Sequence, residues 1–181
     1  MHKTVIGALS GTLLFATAAV AADQAAKPTD PQIAHIAYTA GQIDIEAAKQ
    51  ALDKSKNNDV RAFAQQMVGD HTTVNNQALA LVKKLNVKPA DNPTSQSLTK
   101  QAEATRNKLA SLDGAAFDRA YMDNEVAYHK MVNTALSDTL IPDSQNAELK
   151  ALLQSGLGVF RAHQKHAEQL ASQLQSGSAS Q

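Results

Sequence analysis

Cysteine is absent from the 181 residues. That excludes disulfides, thiol nucleophiles, zinc–thiolate sites and c-type haem attachment, all of which need sulfur. Tryptophan is absent too, and 3 Tyr with 4 Phe leave no stacking platform for bases or sugars. Neither sign of charge is in excess: 17 Lys+Arg face 17 Asp+Glu. The basic stripe expected of a nucleic-acid binder, or of a protein docking on an anionic membrane, is therefore missing. No Gly-rich phosphate loop and no H-E-x-x-H occurs, and no G-x-S-x-G nucleophile elbow. Any catalysis would have to come from a bound ion. β-Branched residues are sparse, while Ala, Gln, Leu, Lys and Asn dominate, so the composition predicts an all-α protein. The length suits one domain.

The N-terminus reads as an export signal. Met1-His2-Lys3 is a short basic start, Val5 to Ala19 is almost wholly apolar or small, and Ala19-Val20-Ala21-Ala22 is a small-residue cleavage pattern. This three-part order predicts a signal peptide over residues 1–22, cleaved near Ala21 or Ala22. The apolar run is shorter than the roughly 20 residues of a membrane span. The mature chain is expected to be periplasmic or secreted, without stable membrane insertion.

Apolar periodicity predicts four long helices and a shorter one, after a flexible lead-in over 23–30. The first runs 31–55, with Asp30 as N-cap and Pro31 at the first helical position. The second runs 59–86, the third and shortest 95–112, the fourth 114–140 and the fifth 144–174. Each carries an i, i+3, i+4, i+7 stripe, such as Val60, Phe63, Ala64, Met67 and Val74. The Ser- and Gly-rich end, 175–181, is expected to be a disordered tail. Helices of 25–30 residues are about 38–45 Å long. Two connections are short and one is long enough to carry the short helix. Two antiparallel hairpins joined by a long crossover make the ferritin-like variant of the four-helix bundle.

Four polar residues interrupt these apolar stripes. Asp44 lies four after Ala40, His71 four after Met67, His129 three before Val132, and His163 three after Phe160. They sit at or beyond mid-height in four helices, so antiparallel packing would gather them in one core layer. One carboxylate and three imidazoles form a donor set suited to a single transition-metal ion, Zn, Cu or Fe. Asp70, Tyr121, Glu125, Tyr128 and His166 are neighbours or alternative ligands. Asp70, Tyr121, Glu125 and Tyr128 would also satisfy the histidines without any ion, leaving a purely structural polar layer. His35 reads as a surface residue, and His2 leaves with the signal. The Glu-x-x-His pair of di-iron carboxylate bundles does not occur, which argues against a ferritin-type ferroxidase.

The run Val60-Arg-Ala-Phe-Ala-Gln-Gln-Met-Val-Gly-Asp-His71 resembles the signature of an exported bacterial family, domain of unknown function 4142. The stretches Ala116–Tyr121 leading to His129, Gly41–Glu46, and Leu157–His163 resemble it too, so the likeness spans about 33–170. It implies a ferritin-like helical bundle. By position it also implies that the family's acid falls on Asp44 and its histidines on His71, His129 and His163. The family's acid is usually Glu, so Asp44 has a shorter reach. The family often has Pro before its last histidine, where Gly158 stands here. The family carries no established activity.

Three readings of function follow. The first is an exported bundle that binds a metal ion or small ligand at the Asp/His layer. The second is an envelope stress or protein-interaction module whose polar layer is only structural. The third is a metal-dependent redox enzyme with Tyr121 or Tyr128 beside the ion. Expected partners are a metal ion or an envelope protein, and not nucleic acid.

Overall fold

A computed structural model describes residues 27–178. The elements are α1 (Asp30–Lys54), α2 (Asn58–Lys84), α3 (Pro93–Ala110), α4 (Gly114–Ala135), a π-helical turn (Leu136–Leu140), α5 (Ile141–Asp143) and α6 (Ala147–Ser178). Helices α1, α2, α4 and α6 form a four-helix bundle, with α1–α2 and α4–α6 as its two hairpins. The signal peptide expected over 1–22 lies outside the described residues.

The crossover sets the topology. Ala90 N–H donates to the Pro31 carbonyl, at the start of α1. Farther on, Gln50 reaches the Arg106 carbonyl and Lys54 the Ala110 carbonyl, near its end. Helix α3 therefore runs parallel to α1 along the outside of the bundle and returns the chain to the far end. There α4 starts beside Lys54, which pairs with Asp113. Each hairpin is thus antiparallel, and α2 and α4 run the same way.

Local chemistry sets the helix ends. Asn57 caps α2, its side-chain oxygen accepting from Asp59 N and Val60 N at 2.9 and 3.2 Å. The first helix starts one residue earlier than expected, with Thr29 and not Asp30 as N-cap. The Asp30 carboxylate is used across the bundle instead. It accepts from Gln145 N and Asn146 N, each at 2.8 Å, and so holds the turn before α6. The fourth helix is not α-helical through residue 140. Its last turn widens to a π-turn, Ile141 N–H reaching back to the Leu136 carbonyl. Pro142 follows, and its ring cannot donate and crowds the carbonyl four residues back. Leu136 and Leu140, at the two ends of this turn, are both buried. At the other end of the chain α6 continues to Ser178, so residues 175–178 are helical and not part of a tail. Gln175 reaches Asp123, which extends the contact between α6 and α4.

The core divides in two. Phe63, Met67, Phe117, Tyr121, Met122 and Ala167 belong to one apolar cluster. Ile33, Ile36, Leu136, Leu149, Leu153 and Phe160 belong to the other. Antiparallel packing explains the division. Along α1 and α6 the second cluster comes first, and along α2 and α4 the order is reversed. Between the two clusters each long helix contributes its polar interruption.

Candidate metal centre

Asp44 on α1, His71 on α2, Glu125 and His129 on α4, and His163 on α6 are all buried, with 1–3% of their surface exposed. One nitrogen from each of His71, His129 and His163 lies within 4.8 Å of the others. The three rings are 5.4–5.7 Å apart, centroid to centroid. Asp44, Glu125 and His129 form a second group by the same criterion, so His129 is shared. Asp44 Oδ2 stands 3.3 Å from His71 Nε2 and 3.4 Å from His129 Nε2. The Glu125 carboxylate lies 3.5 Å from His129 Nδ1.

Two of the three imidazoles are oriented from outside the layer. His163 Nε2–H donates to Asp70 Oδ2 at 2.8 Å. His129 Nδ1–H donates to the Glu125 carbonyl at 3.0 Å. Each hydrogen bond fixes a tautomer and leaves the other ring nitrogen as a lone pair. Those nitrogens, His163 Nδ1 and His129 Nε2, have no hydrogen-bond partner among the described residues. Neither ring nitrogen of His71 has one, nor do both Asp44 oxygens and Glu125 Oε2. His71 is held by packing, its ring stacked on Phe160 at 4.6 Å.

Burial drives the layer toward neutrality. Desolvation lifts Asp44 from 3.8 to about 8. It also raises Glu125 well above the usual carboxylate range, with the nearby Asp44 adding to the effect. Desolvation lowers His129 from 6.5 to about 4. It lowers His71 further, helped by the other two imidazoles, and lowers His163 against the opposing pull of Asp70. Neutral imidazoles are the form that binds metals. Seven polar atoms of this buried layer lack a well-aligned hydrogen bond, since Asp44 Oδ2 meets His71 and His129 only at 3.3–3.4 Å, and each unsatisfied group costs about 1–3 kcal/mol. A cation bonded to several of them removes that cost.

The remaining sequence candidates fall at different distances from the layer. Asp70 is half-exposed and touches it only through His163. Tyr121 is fully buried, its hydroxyl unpartnered, one turn before Glu125. Tyr128 turns away, its hydroxyl donating to the Ala40 carbonyl at 2.9 Å. His166 is not at the layer: it is half-buried, with its edge on Phe63 and Nδ1 3.3 Å from Gln66. His35 is not free on the surface, since Nδ1 lies 2.9 Å from Ser95 Oγ. Of three buried asparagines, the two next to the layer, Asn75 and Asn133, went unmarked in the sequence. Asn75 reaches the Tyr38 carbonyl across α1, and a side chain at Gly41 would collide with it, a Cβ there lying 2.4 Å from Asn75 Oδ1. Asn133 donates to the Phe160 carbonyl and to Gln164. Both lie one turn beyond a layer histidine, at i+4, which is the one signal that would have found them.

The sequence profile of the domain of unknown function DUF4142 matches residues 15–170. The chain belongs to that family. No curated protein matches the chain. Two solved structures share the fold. A DUF305 protein from Streptomyces coelicolor aligns with a TM-score of 0.68 at 12% identity, over 79% of this chain and 91% of that one. CopM in its Cu(II)-bound form aligns with a TM-score of 0.64 at 16% identity, over 82% of this chain and 99% of that one. Among the described residues of this family member, no helix is long and apolar enough to cross a membrane.

Proposed function

We propose that this DUF4142 protein is an exported bundle that holds one transition-metal ion in its core. The observation that carries this reading is the convergence of three buried imidazoles, one nitrogen of each within 4.8 Å of the others; hydrogen bonds at the opposite ring positions leave His129 Nε2 and His163 Nδ1 as lone pairs. His71, His129 and His163 supply the nitrogens, and Asp44 and Glu125 stand beside them as carboxylates. Three imidazoles with an oxygen donor and no thiolate suit Cu, Zn or Fe. Copper is the first ion to test, because a protein of the same fold has been solved with Cu(II). Export is supported by the signal-like N-terminus, and one structural neighbour, the DUF305 protein, is itself named a putative secreted protein.

Elemental analysis of untagged protein, purified from the periplasm without chelators, tests the reading directly. Near-stoichiometric copper, zinc or iron is expected. His71→Ala/His163→Ala is expected to abolish binding while the helical circular dichroism persists. Unchanged metal affinity in the double variant would leave the layer as a structural stratum. Interaction partners would then be sought on the helical surface.

A further inference from the structure

One end of the polar layer opens onto a cavity of about 730 Å³. It is walled by α1, α2, the start of α3, α4 with its π-turn, and α6, in the second apolar half of the bundle. Small residues create it. Ala34, Ala37 and Ala40 on α1 and Gly156 on α6 face it, where larger side chains would interdigitate. Its walls are predominantly apolar, as Ile36, Val74, Leu98, Val132 and Leu153 show. From Gln32 to Asp44 the lining follows α1 for about 18 Å. The outer end reaches solvent beside Lys27, whose side chain is 83% exposed and pairs with Asp143. The inner end is polar, formed by Asp44, His71 and His129, each nine-tenths buried or more and each with an unpartnered atom.

The volume falls within the range of small-molecule sites, which pair an apolar wall with a few placed polar groups. Water gains little along such walls, since a buried water needs two to four polar partners. The shape selects an elongated occupant. The charge pattern selects a neutral polar end: no lysine or arginine lies at the inner end, and Lys27 at the mouth is already paired. We propose that this cavity binds a single-chain apolar molecule, an acyl or prenyl chain, whose one neutral polar group (hydroxyl or carbonyl) meets Asp44 and His71. This inner end shares Asp44, His71 and His129 with the proposed metal centre, whereas His163 does not line the cavity, so a change at His163 touches the metal reading alone.

The test uses chelator-treated full-length protein and the neutral fluorophore N-phenyl-1-naphthylamine. Saturable binding of one molecule per chain is expected, displaced by 1-dodecanol at least tenfold more effectively than by dodecanoate. Gly156→Leu and Ala37→Phe fill the cavity from opposite walls. Each is expected to weaken binding at least tenfold with helical circular dichroism unchanged. Gly156→Ala should still bind, since its added methyl makes only ordinary contact with Phe160 at 3.5 Å. His163→Ala should lose metal affinity yet keep the fluorophore, which separates this site from the metal reading. Absence of saturable binding, equal binding in both filled variants, or a preference for dodecanoate would overturn the proposal.

Discussion

At the scale of single residues, Asp70 is the most informative position. It is half-exposed and meets the layer at His163, where it fixes which ring nitrogen carries the proton and which is left as a lone pair. Removing such an outer partner typically costs 10–100-fold in metal affinity. Asp70→Ala is therefore expected to weaken binding by about that factor in a calorimetric titration with Cu(II) or Zn(II), while the helical circular dichroism of the metal-free protein is kept. The titratable groups make a second prediction. Asp44 keeps its proton to about 8 in the fold, against 3.8 when exposed. The folded state thus binds more protons than the unfolded one between those values, and stability is lost as pH rises through about 8. The histidines are shifted down from 6.5, so their contribution is lost as pH falls below 6.5. From pH 6.5 to 8 only the carboxylic acids act. The melting temperature of chelated protein should fall over that window, and Asp44→Asn should flatten the slope.

At the scale of elements, the caps and the corner before α6 decide where helices start. Asn57 satisfies two N–H groups of α2, so Asn57→Ala is expected to cost about 1 kcal/mol, read as a lower midpoint in urea. Asp30 differs because its two backbone hydrogen bonds join segments 115 and 116 residues apart. The stripes were legible in the sequence because burial selects every third or fourth residue, and that alone turned Asp44, His71, His129 and His163 inward. The π-turn was not legible. Pro142 calls for an adjustment, because its ring removes a donor and crowds the carbonyl four residues back, but the pattern of apolar residues does not say that the turn before it widens. Thr29 in place of Asp30 as N-cap was not legible either, since the carboxylate of Asp30 is drawn to a partner across the bundle.

At the scale of the molecule, the bundle is two apolar clusters joined through a polar layer. The layer is the weak plane of the metal-free protein, and an ion there would bridge four helices at once. A ligand that binds only the folded state at a hundredfold excess over its Kd adds about 2.7 kcal/mol. For a chain of this size that is about 5–10 °C in melting temperature. Calorimetric scans with and without chelator should show that difference, and the His71→Ala/His163→Ala variant should not.

The sequence by itself determined that the chain is all-helical, that two short connections make hairpins, and which side chain on each helix breaks the apolar stripe. These are properties of periodicity, and periodicity is local. Only the tertiary structure decided which of those side chains meet. Glu125 and Tyr128 stand on the same helix beside His129, but three residues of helical rotation send Glu125 into the layer and Tyr128 to the Ala40 carbonyl. The link between Asp70 and His163 spans 93 residues. The cavity also escaped the sequence, because small residues on one helix leave a space only when the helix opposite fails to fill it.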